Sequence, residues 1–307
     1  MMSLMTYHSP VLLKESIEGL NLKPDGVYVD VTFGGGGHSK EILKFLKNGR
    51  LYSFDQDHDA TANNIESSNF KLIKANFRFL KNFLKLEGIE KIDGVIADLG
   101  VSSHQFDTAA RGFSLRFDSE LDMRMNIDSN LNAKEIINNY SEEQLANMFF
   151  IYGDITQSRK LAKQIVNARK EQNILTTSEL ILIAENLSPV KKRNQFLARV
   201  FQAIRIEVND EINALKDMLN SATKLLNPGG RIVVISYHSL EDKIVKNLFK
   251  KGNTDGVVEK DFFGNISKVF NQINKNVIVP SSDECTLNNR ATSAKMRVAE
   301  KIAYVKK

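Results

Sequence analysis

Four consecutive glycines, at positions 34–37, constrain the fold of this chain more than any other feature. They follow an apolar, β-branched run from Val27 to Phe33 and precede an amphipathic stretch from His38 to Lys47. Because glycine has no Cβ, the chain can turn tightly there, and a ligand can approach both the backbone and the N-terminus of the next helix. The run therefore predicts a strand, a tight turn and a helix around a nucleotide-like cofactor. The alternative is a flexible turn that binds nothing.

The residues up to Gly100 repeat this alternation of strand and helix. Further strands are predicted at Arg50–Asp57, Phe70–Phe77 and Asp93–Leu99, with a helix at Phe79–Leu86. Strands that alternate with helices form a parallel sheet joined by right-handed crossovers. The expected class is therefore α/β.

The segment after Gly100 has a different pattern. Polar residues followed three places later by Glu or Gln are typical of helix N-caps. Three such pairs occur there: Asn132 with Glu135, Ser141 with Gln144, and Thr176 with Glu179. We therefore predict an all-helical insertion over residues 108–208, inside a core made of residues 1–107 and 209–307.

The α/β pattern is predicted to resume after the insertion. A long amphipathic helix is expected to begin at Glu207 and to end at the turn Asn227–Gly230, followed by an apolar strand over Arg231–His238. A hairpin is expected near the end of the chain, between residues 276–279 and 293–302.

Two acids follow predicted strands. Asp55 ends the second strand about twenty residues after the glycines, where a carboxylate can accept hydrogen bonds from both hydroxyls of a ribose. Asp57 or Asp59 could instead cap the following helix. Asp98 ends the fourth strand, beside the point where the strand order is expected to reverse and where such sheets bind ligands. These positions suit both NAD(P) and S-adenosylmethionine, whereas the lack of GxxxxGK[ST] argues against a triphosphate site.

The charge and the cysteine content of the chain indicate the kind of partner and the cellular compartment to expect. The net charge of +5 and pI near 9.0 suit a polyanionic partner, although many proteins with this charge bind none. A single cysteine, Cys285, excludes an intramolecular disulfide and predicts a reducing compartment, and no Cys/His spacing indicates a zinc site. No apolar stretch of about 18 residues and no signal-peptide pattern are present, so a cytoplasmic protein without a membrane anchor is expected.

Longer motifs run along almost the whole chain, from Tyr7 to Lys301. They are DVTFGGGGHS, FDQD, IADLGVSSHQFD, RGFS, LDMRM, VFQAIRIEVNDE, NPGGRIVVISYHSLED and PSSDE with NNRATSAKMRVAE. In this order they resemble the bacterial MraW family, the ribosomal RNA small subunit methyltransferases H. One departure is Gly35, where the family often has Arg.

The resemblance implies a class I, Rossmann-like methyltransferase with a doubly wound, mostly parallel seven-stranded sheet and an inserted helical domain. It implies methyl transfer from S-adenosylmethionine to the exocyclic N4 of a cytidine in the decoding region of small-subunit (16S) rRNA, within the assembled or late-assembling subunit. The implied cofactor contacts are Gly36, Gly37 and His38 at the methionine end, Asp55 at the ribose, Phe77 at the adenine, and also Asp98 and Gln105.

The polar cluster Ser236–Asp242 follows the strand after the insertion. A Ser/His/Asp hydrolase is disfavoured because no GxSxG elbow is present. Asp98 and His238 are the candidate catalytic residues: Asp98 would accept hydrogen bonds from the target amine, and His238 would either orient the base or merely cap the next helix. Tyr237 and Phe113 are candidate platforms for a base that leaves its stack.

Basic residues are the candidate RNA contacts. They are Lys191, Lys192 and Arg193; Arg111, Arg116 and Arg124; and the tail residues Arg290, Lys295, Arg297, Lys301, Lys306 and Lys307. The alternative for each is a solvated charged surface. Two alternative functions stay open: an NAD(P)-dependent oxidoreductase, which lacks an evident hydride-transfer arrangement here, and a non-catalytic RNA-binding protein.

Overall fold

A computed structural model of the chain describes residues 10–258 and 268–303. Backbone contacts divide the chain into two compact units: the residues up to Gly100 together with those from Ile212 form the first, and Val101–Glu211 form the second. The sequence pattern placed the helical insertion at 108–208. Residues 7–9, where the family resemblance begins, and the basic residues Lys306 and Lys307 lie outside the described residues.

The first unit contains a seven-stranded sheet among its described residues. The strands are β1 (Val27–Asp30), β2 (Arg50–Asp55), β3 (Phe70–Lys74), β4 (Ile92–Asp98), β5 (Leu226–Ser236), β6 (Phe270–Gln272) and β7 (Lys295–Lys301). They lie in the order β3-β2-β1-β4-β5-β7-β6, and β7 alone runs antiparallel to its neighbours. The order reverses between β1 and β4, which confirms the predicted doubly wound, mostly parallel sheet.

The α-helices of the described chain are α1 (Leu13–Leu20), α2 (Gly37–Phe45), α3 (Leu80–Leu86), α4 (Ser103–Asp107), α5 (Ala133–Asn139), α6 (Glu142–Gly153), α7 (Ser158–Glu171), α8 (Thr177–Ala184), α9 (Arg193–Asn209), α10 (Glu211–Leu225), α11 (Ser239–Lys251) and α12 (Ser282–Leu287). Those of the first unit cover both faces of the sheet. Along β4, Val95 and Ala97 join the apolar core shared with α3, α10 and α11, whereas Ile96 joins the core shared with α1 and α2. This alternation is the two-residue period of a strand.

The second unit is helical, with its own apolar core around Phe149, Leu161 and Ile204. The predicted helix starts are confirmed. The side chains of Asn132, Ser141 and Thr176 each accept a hydrogen bond from the backbone N–H three residues later. No helix in the part of the chain that the structure describes is long and apolar enough to span a membrane.

Two sequence-based predictions about the second half of the chain are wrong. Glu207 does not begin a helix but lies within α9, and the break comes at Asp210, whose φ of 49° is left-handed. The partner of β7 in the terminal hairpin is β6, while Ile278 forms only an isolated bridge with Met296. In addition, β1, β2 and β3 each end earlier than predicted, and β5 begins already at Leu226.

Candidate active site

The glycine turn joins the end of β1 to the start of α2. Gly36 adopts a φ of 75°, and a Cβ at this position would lie 2.9 Å from the ring of Phe33. A Cβ on Gly37 would lie 2.1 Å from the side chain of Pro10. The backbone conformation at Gly36 and the packing around Gly36 and Gly37 therefore exclude side chains at these positions. The turn has a defined, closely packed structure and is not a flexible loop.

Asp55, at the end of β2, is tied to this turn. Its Oδ2 accepts a hydrogen bond from the Gly34 N–H at 2.8 Å, and its Oδ1 accepts one from the Asp57 N–H at 2.8 Å. Burial raises the pKa of Asp55 to about 6, although the two N–H donors act in the opposite direction. Because each carboxylate oxygen has a second lone pair, Asp55 can still accept hydroxyl groups of a ligand.

Asp98, at the end of β4, lies between two polar rings. The Tyr237 hydroxyl donates a hydrogen bond to Asp98 Oδ1 at 2.7 Å, and His38 Nδ1 lies 4.0 Å from Asp98 Oδ2. The other ring nitrogen of His38 lies 3.2 Å from the carbonyl oxygen of Val11, which can only accept, so we assign the proton to Nε2. The Asp98 side chain is 22% exposed, and a ligand can therefore reach it.

The pKa values around Asp98 are shifted mainly by burial. Burial raises the pKa of Asp98 to about 6, while His38 and the Tyr237 hydrogen bond act to lower it and Asp30 and Glu241 act to raise it. Burial also lowers the pKa of His38 and raises that of Tyr237, so the imidazole is neutral and the phenol keeps its proton at neutral pH. The cluster thus presents a carboxylate with Oδ1 held and Oδ2 available as an acceptor.

Asp30 is a site residue that the sequence analysis missed. It is buried at the end of β1, where its Oδ2 accepts from the Ser39 hydroxyl at 2.7 Å and its Oδ1 from the Thr32 N–H at 3.1 Å. The Thr32 hydroxyl in turn accepts a hydrogen bond from the Asp98 N–H at 2.7 Å. An acid at the end of an otherwise apolar strand was the available signal. Asp30 and Thr32 link the glycine turn to the end of β4.

His238 and its neighbours form the start of α11. Nδ1 of His238 accepts a long hydrogen bond of 3.5 Å from the Glu241 N–H, which makes His238 the N-cap. Its Nε2 lies 3.1 Å from Glu241 Oε1 but is not aligned for a hydrogen bond. Glu241 Oε2 accepts from the Tyr237 N–H at 2.8 Å and so holds the residue that contacts Asp98. The capping alternative therefore describes what His238 does within the fold.

The remaining predicted residues lie in different places. Phe77 follows β3, begins a short 3₁₀ turn and packs half-buried against the core of the sheet. Gln105 belongs to the second unit, where it is buried and completes a capping box with Ser102 at the start of α4. Phe113 is a core residue of the second unit, so it is not an exposed platform. The first unit thus brings the glycine turn, His38, Asp55, Phe77 and Asp98 to the carboxyl edge of its strands.

Comparison with known families covers nearly the whole chain. A model of the MraW methylase family matches residues 5–302. The chain belongs to the MraW methylase family. It is therefore a methyltransferase, and its methyl donor is S-adenosylmethionine. The site fits this donor, since a bare glycine turn and a ribose-accessible acid at the end of β2 stand where open α/β sheets bind nucleosides.

Relatives of the MraW family match the chain from end to end. The ribosomal RNA small subunit methyltransferase H of Bacteroides thetaiotaomicron is 55% identical over 298 residues, which cover 97% of this chain and 98% of that protein. The protein of the same name from Christiangramia forsetii is 56% identical over 303 residues, 98% of this chain and 100% of that protein. Among solved structures, an rRNA methylase from Streptococcus thermophilus is 13% identical over 94% of this chain and 95% of that chain, with a TM-score of 0.41. The two sequence relatives, which cover 97% and 98% of this chain, therefore span both of its units.

Proposed function

We propose that this MraW-family chain transfers the methyl group of S-adenosylmethionine to the exocyclic N4 of a cytidine in the decoding region of small-subunit rRNA. The assignment of the substrate rests on the similarity over nearly the whole chain, at 55% and 56% identity, to relatives named ribosomal RNA small subunit methyltransferase H. We place the reaction in the cytoplasm, on the assembled or late-assembling small subunit.

The proposed cofactor contacts follow the carboxyl edge of the sheet. Gly36, Gly37 and His38 would lie along the methionine part, because the turn brings the N-terminus of α2 to the carboxyl edge of the sheet. Asp55 would accept the ribose hydroxyls with its second lone pairs, and Phe77 would lie against the adenine. Gln105 is proposed as a further cofactor contact on the grounds of the family motif.

Asp98 is proposed as the acceptor for the target amine. S-adenosylmethionine supplies an electrophilic methyl group on a sulfonium. Displacement at that methyl must be in line, so the protein has to align the amine and exclude water. The N4 lone pair of cytosine is delocalised into the ring, and a hydrogen bond from N4–H to Asp98 Oδ2 favours the pyramidal, nucleophilic amine. The Asp98 carboxylate stabilises the positive charge that develops on N4 in the transition state. After the methyl group is transferred, with S-adenosylhomocysteine as the other product, the same carboxylate can accept the proton that the methylated nitrogen must lose.

The other polar residues act through Asp98 or through the base. Tyr237 holds Oδ1, so that Oδ2 points to a defined position. We propose that His238 orients the target base while it caps α11, which makes its contribution smaller than that of Asp98.

Methyl transfer in vitro tests the proposal. Purified protein is incubated with S-adenosylmethionine carrying a labelled methyl group and with either isolated small subunits or naked small-subunit rRNA, and the RNA is then digested to nucleosides. Mass spectrometry should find the label in N4-methylcytidine, with more label from subunits than from naked RNA. Label in another nucleoside, or no transfer to either RNA, would contradict the proposal.

A further inference from the structure

Most basic side chains of the second unit are used inside that unit. Six are paired with carboxylates: Arg116 with Asp107, Arg124 with Asp122, Lys134 with Glu120, Arg193 with Glu185, Arg199 with Asp154, and Arg205 with Glu211. Arg111 and Arg169 donate instead to backbone carbonyl groups. These residues include four of the candidate RNA contacts, so their charges have a structural role that needs no RNA.

Two places are exceptions: helix α7, and the short 3₁₀ turn before α9, where Lys191 and Lys192 are exposed and have no carboxylate partner among the described residues. Helix α7 carries the larger group. Its exposed basic residues, none of which has a carboxylate partner among the described residues, are Arg159, Lys160, Lys163 and Lys170. With 3.6 residues per turn these four fall on one side of the helix, opposite the buried positions Leu161 and Ile165. The residues exposed between them, Gln164 and Asn167, are uncharged, and the only acid of the helix is its last residue, Glu171. We call the surface formed by the four basic residues the basic face of α7.

The start of α7 is also unfavourable for the helix itself. It has no side-chain cap and no acid in its first turn, where Arg159 and Lys160 stand instead. Cations near a helix N-terminus oppose the helix dipole, and Lys160 and Lys163 repel each other at a spacing of three residues. Helices α5, α6 and α8 of the same unit each have a side-chain cap and an acid in the first turn, whereas α9 has neither, but its first residue, Arg193, is paired with Glu185. Helix stability therefore does not explain the charges of α7.

Helix α11 of the first unit shows that exposed lysines alone are not informative. Lys243, Lys246 and Lys250 are exposed, with no carboxylate partner in the described parts of the chain. However, α11 has a cap at His238, acids in its first turn and lysines in its last turn. This is the arrangement that the helix dipole favours, so the lysines of α11 need no ligand to explain them.

An exposed aromatic ring lies at the same end of the helical pair as the start of α7. Phe150, in the last turn of α6, is 60% exposed. Only residues 154–157 separate α6 from α7, and the two helices pack against each other, so the end of α6 and the start of α7 are neighbours. Aromatic rings beside basic residues are typical of surfaces that bind single-stranded nucleic acid.

We propose that the basic face of α7 binds the phosphate backbone of the RNA substrate. The inference rests on the proposed function, which supplies the RNA, and it assigns the contact to a helix that the sequence analysis did not single out. Arg159 and Lys160 bind phosphate at the start of the helix, where unpaired N–H groups add to their charge, and Lys163 and Lys170 continue along the same side. Of the sequence-based candidates Lys191–Arg193, Arg193 is already paired with Glu185.

The salt dependence of RNA binding tests this surface. The probe is a fluorescent fragment of small-subunit rRNA that contains the decoding region, titrated with full-length protein at several salt concentrations. The variant K160Q/K163Q/K170Q removes three lysines from α7, and K243Q/K246Q/K250Q removes three exposed lysines from α11 as the matched control. Loss of three phosphate contacts should reduce the slope of log K against log salt by about 2, which corresponds to about 100-fold weaker binding at 0.1 M salt. The α11 variant should keep the wild-type slope.

Two further measurements distinguish a misfolded variant from a wrong assignment of the RNA-binding surface and from a wrong proposed function. Affinity for S-adenosylmethionine, measured by calorimetry, should be unchanged in the α7 variant, which shows that the first unit is intact. An unchanged helical circular dichroism spectrum and thermal transition should show that the second unit, which contains α7, is also folded. A wild-type salt slope in the folded α7 variant, or an equal loss of slope in the α11 variant, would overturn the inference. Failure of the proposed function would look different, because the wild-type protein itself would then transfer no methyl group to small subunits.

Discussion

The acids at the strand ends of the first unit and Asp122 of the second unit are held in opposite ways. In the first unit, Asp30 is buried and Asp55 and Asp98 are partly buried at the ends of three neighbouring strands, with no lysine or arginine partner among the described residues. In the second unit, Asp122 is paired with Arg124 at 2.7 Å; burial acts to raise its pKa, but the hydrogen bonds and charge of Arg124 prevail and lower it. Uncompensated burial disfavours the charged form of an acid. Acids whose burial is not compensated by a cation are candidates for functional sites, and the two that a ligand can reach here are Asp55 and Asp98.

The largest effect is expected from Asp98, on the rate of methyl transfer. Asp98→Asn keeps the size of the side chain and one acceptor oxygen but removes the negative charge that opposes positive charge on N4. We expect a loss on the order of 10²-fold in the single-turnover rate at saturating S-adenosylmethionine, and a modest loss of donor affinity. The comparison variant Asp122→Asn should unfold more easily, yet keep the rate per folded molecule. Equal rates for wild type and Asp98→Asn would leave Asp98 as a structural residue and move the search for the acceptor to Ser236–Asp242.

Asp55 should affect binding of the donor rather than the chemical step. Asp55→Ala removes charge-assisted hydrogen bonds worth roughly 1.5 to 3 kcal/mol, which corresponds to about 10- to 150-fold in affinity. Isothermal calorimetry with S-adenosylmethionine measures this loss, and Asp59→Ala, an exposed acid in the turn that follows, is the control. Unchanged affinity in a folded Asp55→Ala protein would exclude the ribose role.

Tyr237→Phe removes only the hydroxyl group that donates a hydrogen bond to Asp98, and it leaves the Asp98 carboxylate itself in place. The phenol stabilises the charged form of Asp98, so its removal raises the pKa of that carboxyl above the present value of about 6. The titratable groups that face Asp98 from the other elements, His38, Asp30 and Glu241, are unchanged. The single-turnover rate should fall on the acid side of its pH profile, and in the variant this fall should begin about one to two pH units higher. A profile identical to wild type would show that Tyr237 does not tune Asp98.

The smallest effect is expected from a cap in the second unit. Ser141→Ala removes the hydrogen bond to the Gln144 N–H at the start of α6 and should lower the free energy of unfolding by about 1 kcal/mol. Donor affinity should not change, because Ser141 is an exposed residue before α6 and is not one of the proposed cofactor contacts. Chemical denaturation and calorimetry on the same sample test both halves of this expectation, and a loss of donor affinity would contradict the contrast between the two units.

Sequence reasoning located Asp55 and Asp98 because strand ends are local features, but it missed Asp30 because the first strand was predicted to continue to Phe33, whereas β1 ends at Asp30. Asp55 and Asp98 follow apolar runs, and the carboxyl edge of a parallel sheet brings them together. The contact between Asp98 and Tyr237 was not predictable, since it joins residues 139 positions apart and depends on β4 pairing with β5 so that Asp98 lies opposite Ile235. The break at Asp210 was missed because a left-handed aspartate leaves no glycine to mark it.

The basic face of α7 was missed for a different reason. The sequence alone does not distinguish Lys160 and Lys163 from Arg116 and Arg124, because each could be a basic residue on a solvated surface. Only the structure shows that the two arginines are paired with acids and the two lysines are not. Which charges are neutralised is a property of tertiary packing, and no local pattern records it.

Nucleoside mass spectrometry of small-subunit rRNA from cells tests the central claim most directly. Ribosomal RNA is compared from cells with the protein, from cells without it, and from the latter after they receive either the wild-type chain or the variant Asp98→Asn. We predict that one cytidine of the decoding region loses an N4-methyl group in the absence of the protein, and that the wild-type chain restores this methyl group whereas Asp98→Asn does not. An unchanged methylation pattern in cells that lack the protein would contradict the account.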